Sequence, residues 1–172
     1  MAGTKPRKHR ALVIIDVEPR FLTARTRQVI PRIARLVKEG DYSLFVVAEH
    51  TRGRVRARAL THPGRNRSDE TVAELATLLD PARTLLVAKN TRSAFGNSNN
   101  VARDLRRRRI AEIHIVGIET HDCVLATTLD AFDQGFATCI VERACASRRV
   151  TDHESAVRVM RRLHLTDKTI RI

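Results

Sequence analysis

At 172 residues with 42% hydrophobic content, the chain is long enough for one buried core and too short for two ordinary domains. Aromatic residues make up 3% and Trp is absent, so the core has to be built from Val, Ile, Leu and Ala, a composition that suits a parallel sheet covered on both faces. The net charge of +13 favours polyanions or acidic partners, or is a solvated, Arg-rich surface that keeps the protein soluble, and the odd number of cysteines, three, argues against a disulfide framework and for a reducing, cytoplasmic setting.

Residues 1–10 form a basic segment, and 11–172 read as a single domain. The run at 11–16, ALVIID, predicts the first strand; as a secretory signal it is too short, and it ends in Asp16. A helix is predicted over 25–38, stopped by Gly40, and a strand over 43–49. The stretch 51–68 carries Gly53, Pro63 and Gly64 among many arginines and reads as a long loop. Helices over 69–79, 97–108 and 122–133 alternate with strands over 83–89, 112–118 and 137–143, with Gly135 as a stop. A helix over 152–163, capped by Asp152, and a short strand over 168–172 complete the chain. The alternation predicts an α/β fold: a three-layer, Rossmann-like arrangement in which helices flank a parallel sheet of five or six strands. No stretch is long enough to span a bilayer.

In such a sheet the ligand crevice lies at the carboxyl ends of the strands. Asp16 ends the first strand, Glu49 and His50 the second and Lys89 the third, while Glu119 and Cys123 follow the fourth. A carboxylate, an ammonium and a thiol are thus expected together. A thiol attacks as thiolate, and the start of a helix, where Cys123 is expected, lowers its pKa. Each residue alone also has a structural reading: Asp16 as a turn former, Lys89 as a surface lysine, Cys123 as a small buried hydrophobe. Cys139 and Cys145 keep that last reading.

Four segments then carry a family likeness. VGIETHDCVLATTLDAFDQGF at 116–136, IIDVEPRF at 14–21, KNTRSAFGNSN at 89–99 and VERACASRRVTDHESAVRVM at 141–160 resemble, in order and spacing, the motifs of the isochorismatase-like cysteine hydrolases. The resemblance implies a catalytic triad of Asp16, Lys89 and Cys123. It also implies an oxyanion hole from the backbone N–H groups of Glu119 and Cys123, and a cis peptide between Ile118 and Glu119. Phe21, His50 and Phe95 are the expected substrate-binding residues. The implied activity is hydrolysis of a small amide, ureide or carbamoyl compound through a thioester, without a cofactor. Hydrolysis of an isochorismate-type vinyl ether is the alternative.

Relatives that act on nicotinamide hold a metal with an Asp-x-His pair after the second strand and a further His. Here Glu49, His50 and Thr51 stand at that place and His62 lies in the loop, so no metal is expected. A homodimer or homotetramer is implied by the resemblance. The arginines between Arg52 and Arg67 suit a carboxylate-bearing substrate or a neighbouring subunit. Nucleic acid or an acidic partner, bound by an inactive family member, is the remaining reading; the scarcity of aromatics weighs against base stacking.

Overall fold

The computed structural model describes residues 9–51, 71–96 and 100–167. Five strands form one wholly parallel sheet: β1 (Arg10–Ile15), β2 (Leu44–His50), β3 (Thr84–Lys89), β4 (Glu112–Ile118) and β5 (Ala137–Ala146), in the order β3-β2-β1-β4-β5. β1 is central, and Ala11 to Ile15 are fully buried. Its side chains alternate between two cores: Ala11, Val13 and Ile15 on one face, Leu12 and Ile14 on the other. Two-sided burial is why the strand reads as an unbroken apolar run.

Helices α1 (Val29–Glu39) and α2 (Ala73–Ala76) cover the second face; α3 (Val101–Arg107), α4 (Leu125–Asp133) and α5 (Val150–Arg162) cover the first. α1 shows how the sequence makes such a helix. Val29, Ile30, Ile33, Leu36 and Val37 recur at helical spacing and are all buried, each contributing about 1.5–3 kcal/mol if fully removed from water. The helix begins four residues later than expected because Pro31 is tolerated only in a first turn, where its missing N–H has no partner to lose. A 3₁₀ turn, Thr26–Gln28, replaces the expected start.

Other boundaries also move. α2 is a single turn rather than a helix over 69–79, and α3 begins at Val101. The expected helix over 122–133 starts instead as a π turn, Thr120–Val124, that runs into α4. α5 is entered at Arg149, so Asp152 is not its cap; it lies in the first turn, where a carboxylate still favours the positive end of the helix. β5 extends to Ala146. The long loop expected over 51–68 lies, from residue 52 onward, outside the described residues, as does the strand expected over 168–172. Just before it, Thr166 bridges Ile140 in parallel register.

Gly117 is required where it stands. Its φ is +123°, and a Cβ there would lie 2.2 Å from the Ile15 carbonyl oxygen on the neighbouring strand. It sits at an irregularity between β4 and β5, two residues before the turn that carries Glu119. None of the described helices is long and apolar enough to cross a membrane.

Candidate active site

β1, β3 and the turn after β4 bring their carboxyl ends together, and with them Asp16, Lys89 and Cys123. Lys89 is fully buried, and its Nζ lies 2.7 Å from Asp16 Oδ2, itself only 2% exposed as a residue. A second bond, 3.1 Å to the Thr91 carbonyl, fixes the ammonium. Asp16 has φ +52°, a left-handed conformation that Asp tolerates better than most residues, and its N–H donates to the Ala48 carbonyl at 3.0 Å. The strand end thereby turns the carboxylate onto Lys89.

Asp16 Oδ1 is buried and makes no ordinary hydrogen bond to the described residues. The Cys123 thiol interacts with this carboxyl both by charge and by hydrogen bonding. Burial raises the Asp16 pKa, and the ammonium of Lys89 works against that rise. The thiol of Cys123 is pushed up to about 12, first by burial and then by the negative charge of Asp16, with Lys89 opposing. Here the sequence expectation of a thiolate favoured by a helix start is corrected. Cys123 lies within the π turn, half-buried beside a carboxylate, and these two effects exceed the opposing pull of the Lys89 ammonium. The resting group is a thiol facing the Asp16 carboxyl.

The turn that holds Cys123 is fastened at several points. The peptide between Ile118 and Glu119 is cis, as the resemblance implied. The Glu119 carbonyl accepts from the N–H groups of Asp122 and Val124 at 3.1 and 3.2 Å, and its carboxylate accepts from the Arg148 N–H at 2.8 Å. Thr120 Oγ1 lies 2.9 Å from His153 Nδ1 on α5, and Asp122 pairs with Arg92 at 2.5 Å. His153, which the sequence suggests is structural at the start of the last long helix, is thus one of the supports of the turn that carries Cys123.

Of the expected substrate-binding residues, Phe21 and His50 come together, their rings edge-to-face with centroids 6.2 Å apart. Phe95 instead packs on Phe136, centroids 6.0 Å apart, and leans on the core beneath α3 to α5. The backbone of His50 is gripped from both sides by a motif two residues beyond Asp16. Glu18 Oε1 accepts its N–H at 2.6 Å, and Arg20 donates to its carbonyl while pairing with Glu18 Oε2 at 2.7 Å. Glu18 is fully buried, and burial pushes its pKa up to about 8. The His50 imidazole is lowered by burial and by the positive charge of Lys89, so it is neutral at physiological pH. Neither Glu18 nor Arg20 stands out in sequence; their spacing of two and four from a strand-final Asp is the signal that would have found them.

Glu49 Oε1 accepts the Thr71 N–H at 2.9 Å, tying the chain after residue 70 to the end of β2. His62 and the arginines from Arg52 to Arg67 lie outside the described residues.

Comparison with known proteins agrees with this architecture. The Isochorismatase domain model matches residues 10–169. An uncharacterized isochorismatase family protein, PncA, of Bacillus subtilis is 28% identical over 144 residues, covering 76% of this chain and 78% of its own. The crystal structure of nicotinamidase/pyrazinamidase PncA from Bacillus subtilis superposes with a TM-score of 0.73 at 25% identity, over 89% of this chain and 94% of that one. An isochorismatase-like hydrolase from Alkaliphilus metalliredigens, at 19% identity, shares the fold with a TM-score of 0.76 over 92% and 93% of the two chains. A domain match over nearly the whole length, on a five-stranded parallel sheet whose strand ends gather Asp16, Lys89 and Cys123, means that the chain belongs to the isochorismatase family of hydrolases.

Proposed function

We propose that this protein is a cysteine amidohydrolase that cleaves the C–N bond of a small amide, ureide or carbamoyl compound through a thioester on Cys123. The observation that carries the reading is the buried contact of Lys89 with Asp16, which leaves the second carboxylate oxygen to the Cys123 thiol. A fully buried lysine costs several kcal/mol in desolvation, more than a structural pair of this size returns, and the thiol beside it gives that cost a use. The names of solved neighbours, nicotinamidases and pyrazinamidases among them, support amide chemistry.

In the first step Asp16 takes the thiol proton as Sγ attacks the carbonyl carbon, and the carbonyl π pair moves onto oxygen. Lys89 favours the ionised form of Asp16 before the transfer and offsets the charge of the forming thiolate. The oxyanion is received by the backbone N–H groups of Glu119 and Cys123. Its collapse breaks the C–N bond, and Asp16 returns the proton to the leaving nitrogen. Water, deprotonated by Asp16, then cleaves the thioester; the acid departs and the thiol is restored. Phe21 and the neutral imidazole of His50 line the side on which the substrate would lie.

The test is ammonia release from a panel of aromatic carboxamides, aliphatic amides, ureides and carbamoyl compounds, with pyruvate release from isochorismate followed in parallel. Each active substrate is followed by an acid quench and mass analysis of the peptide containing Cys123. Amide turnover, an acyl adduct on Cys123 and loss of both in Cys123→Ala are expected. Turnover that survives in Cys123→Ala, or hydrolysis confined to the vinyl ether, would sink the proposal.

A further inference from the structure

At the amino end of the same strands, away from the site just described, a second group of side chains gathers. His114 on β4 and Cys139 on β5 are direct partners in the parallel register, so both point to the same face. Asp167 joins them from the segment that bridges β5: its N–H donates to the Ile140 carbonyl at 3.2 Å, and the Ile140 N–H donates to Leu165. One ring nitrogen of His114, the Cys139 Sγ and an Asp167 carboxylate oxygen all lie within 4.8 Å of one another. His114 is 1% exposed; Cys139 and Asp167 are half-buried.

We infer that His114, Cys139 and Asp167 form a structural site for a divalent transition cation of the zinc type. An imidazole, a thiolate and a carboxylate are the donor types that such an ion takes, and tetrahedral bonds of about 2.0–2.3 Å require the three atoms to draw together by only about 1 Å. The surroundings fit as well. His114 Nδ1 lies 3.0 Å from the Tyr42 hydroxyl. Glu112 Oε1 can only accept, so without an ion Nε2 carries the hydrogen; a bound ion takes that hydrogen's place, and Nδ1, then protonated, donates to the Tyr42 hydroxyl, the arrangement usual behind a ligating histidine. Glu112 Oε1, 2.8 Å from Nε2, is in reach as fourth ligand. Arg10 pairs with Glu112 at 2.9 Å, and with a thiolate on Cys139 the charges of Arg10, Glu112, Asp167 and a divalent ion cancel.

The site would act as a staple. Its ligands come from β4, β5 and the chain after α5, so a bound ion fastens residues 165–167 to the sheet edge. By strand rise it lies about 16 Å from Glu119, too far for a part in the hydrolysis.

The experiment uses the full-length protein, stripped with a chelator and titrated with cobalt(II). One equivalent should produce a thiolate-to-cobalt charge-transfer band in the near ultraviolet, displaced by zinc. Cys139→Ala should abolish the band, Cys123→Ala should retain it, and Tyr42→Phe should weaken cobalt binding by about 10-fold. Asp167→Asn, at a half-buried position that should leave the fold intact, should also lose tight binding, which guards against a misfolded Cys139 variant. No band in the wild type, a band that persists in Cys139→Ala, or a band lost in Cys123→Ala overturns the proposal.

Discussion

The two ends of the sheet each hold a half-buried cysteine among charged groups, and the groups around them differ. At the carboxyl end, Cys123 stands beside a carboxylate that is itself held by a fully buried ammonium. At the amino end, Cys139 stands beside Asp167 and Glu112, and the nearby cation, Arg10, is occupied by Glu112 at the edge of solvent. Both thiols are pushed up to about 12, Cys123 by burial and Asp16, Cys139 by burial and its two carboxylates. The raised pKa therefore does not distinguish the two thiols. What differs is the neighbouring ion pair: Asp16, with Oδ1 left without an ordinary hydrogen bond, is paired to the fully buried Lys89, whereas the pair near Cys139, Arg10 with Glu112, is partly exposed.

The comparison breaks most sharply on turnover. Asp16→Asn should lower kcat/KM on any active amide by at least about 10³-fold through loss of the base, whereas Cys139→Ala should leave it unchanged. Equal losses in both variants, measured by ammonia release, would erase the distinction between the two ends. Lys89→Met tests the buried charge. Removing one partner of a buried pair costs about 3–5 kcal/mol, so its urea midpoint should fall further than that of any surface variant. An unchanged midpoint would mean that Asp16 is not stabilised by Lys89.

Alkylation gives a subtler contrast. Because the charge of Asp16 raises the Cys123 pKa, Asp16→Asn should shift the iodoacetamide titration of Cys123 to lower pH even as turnover collapses, and leave that of Cys139 in place. A shift to higher pH would show that Asp16 favours the thiolate in the resting enzyme.

Glu18 supplies a pH dependence. Its pKa rises from 4.5 to about 8 on folding, so the unfolded chain releases this proton first. The stability it contributes is complete below pH 4.5 and is lost as pH rises through about 8. Glu18→Gln, which still accepts the His50 N–H, should flatten the fall in Tm across that window; an unaltered slope would assign the fall to other groups. The smallest effect belongs to Arg35→Ala on the exposed face of α1. Its pair with Glu39 is a solvent-exposed i,i+4 bridge, and the variant should lose no more than about 0.5 kcal/mol in urea denaturation.

The sequence by itself determined a great deal. The parallel sheet was legible because two-sided burial forces unbroken aliphatic runs, as in β1, and the crevice residues because Asp16 and Lys89 are the last polar letters of such runs. Helix starts were less legible, since a propensity window does not register where Pro31 permits a first turn or where a strand end must unwind into a π turn before α4.

Only the tertiary structure decided which distant groups meet. The grip of Glu18 and Arg20 on His50 depends on β1 lying beside β2, the tie of Thr120 to His153 on where α5 packs, and the pairing of His114 with Cys139 on the register of β4 and β5. It also set the surroundings of the Cys123 thiol. Burial and the neighbouring Asp16 push its pKa up against the pull of Lys89, and that balance depends on distances and solvent access that emerge only when the strands are side by side.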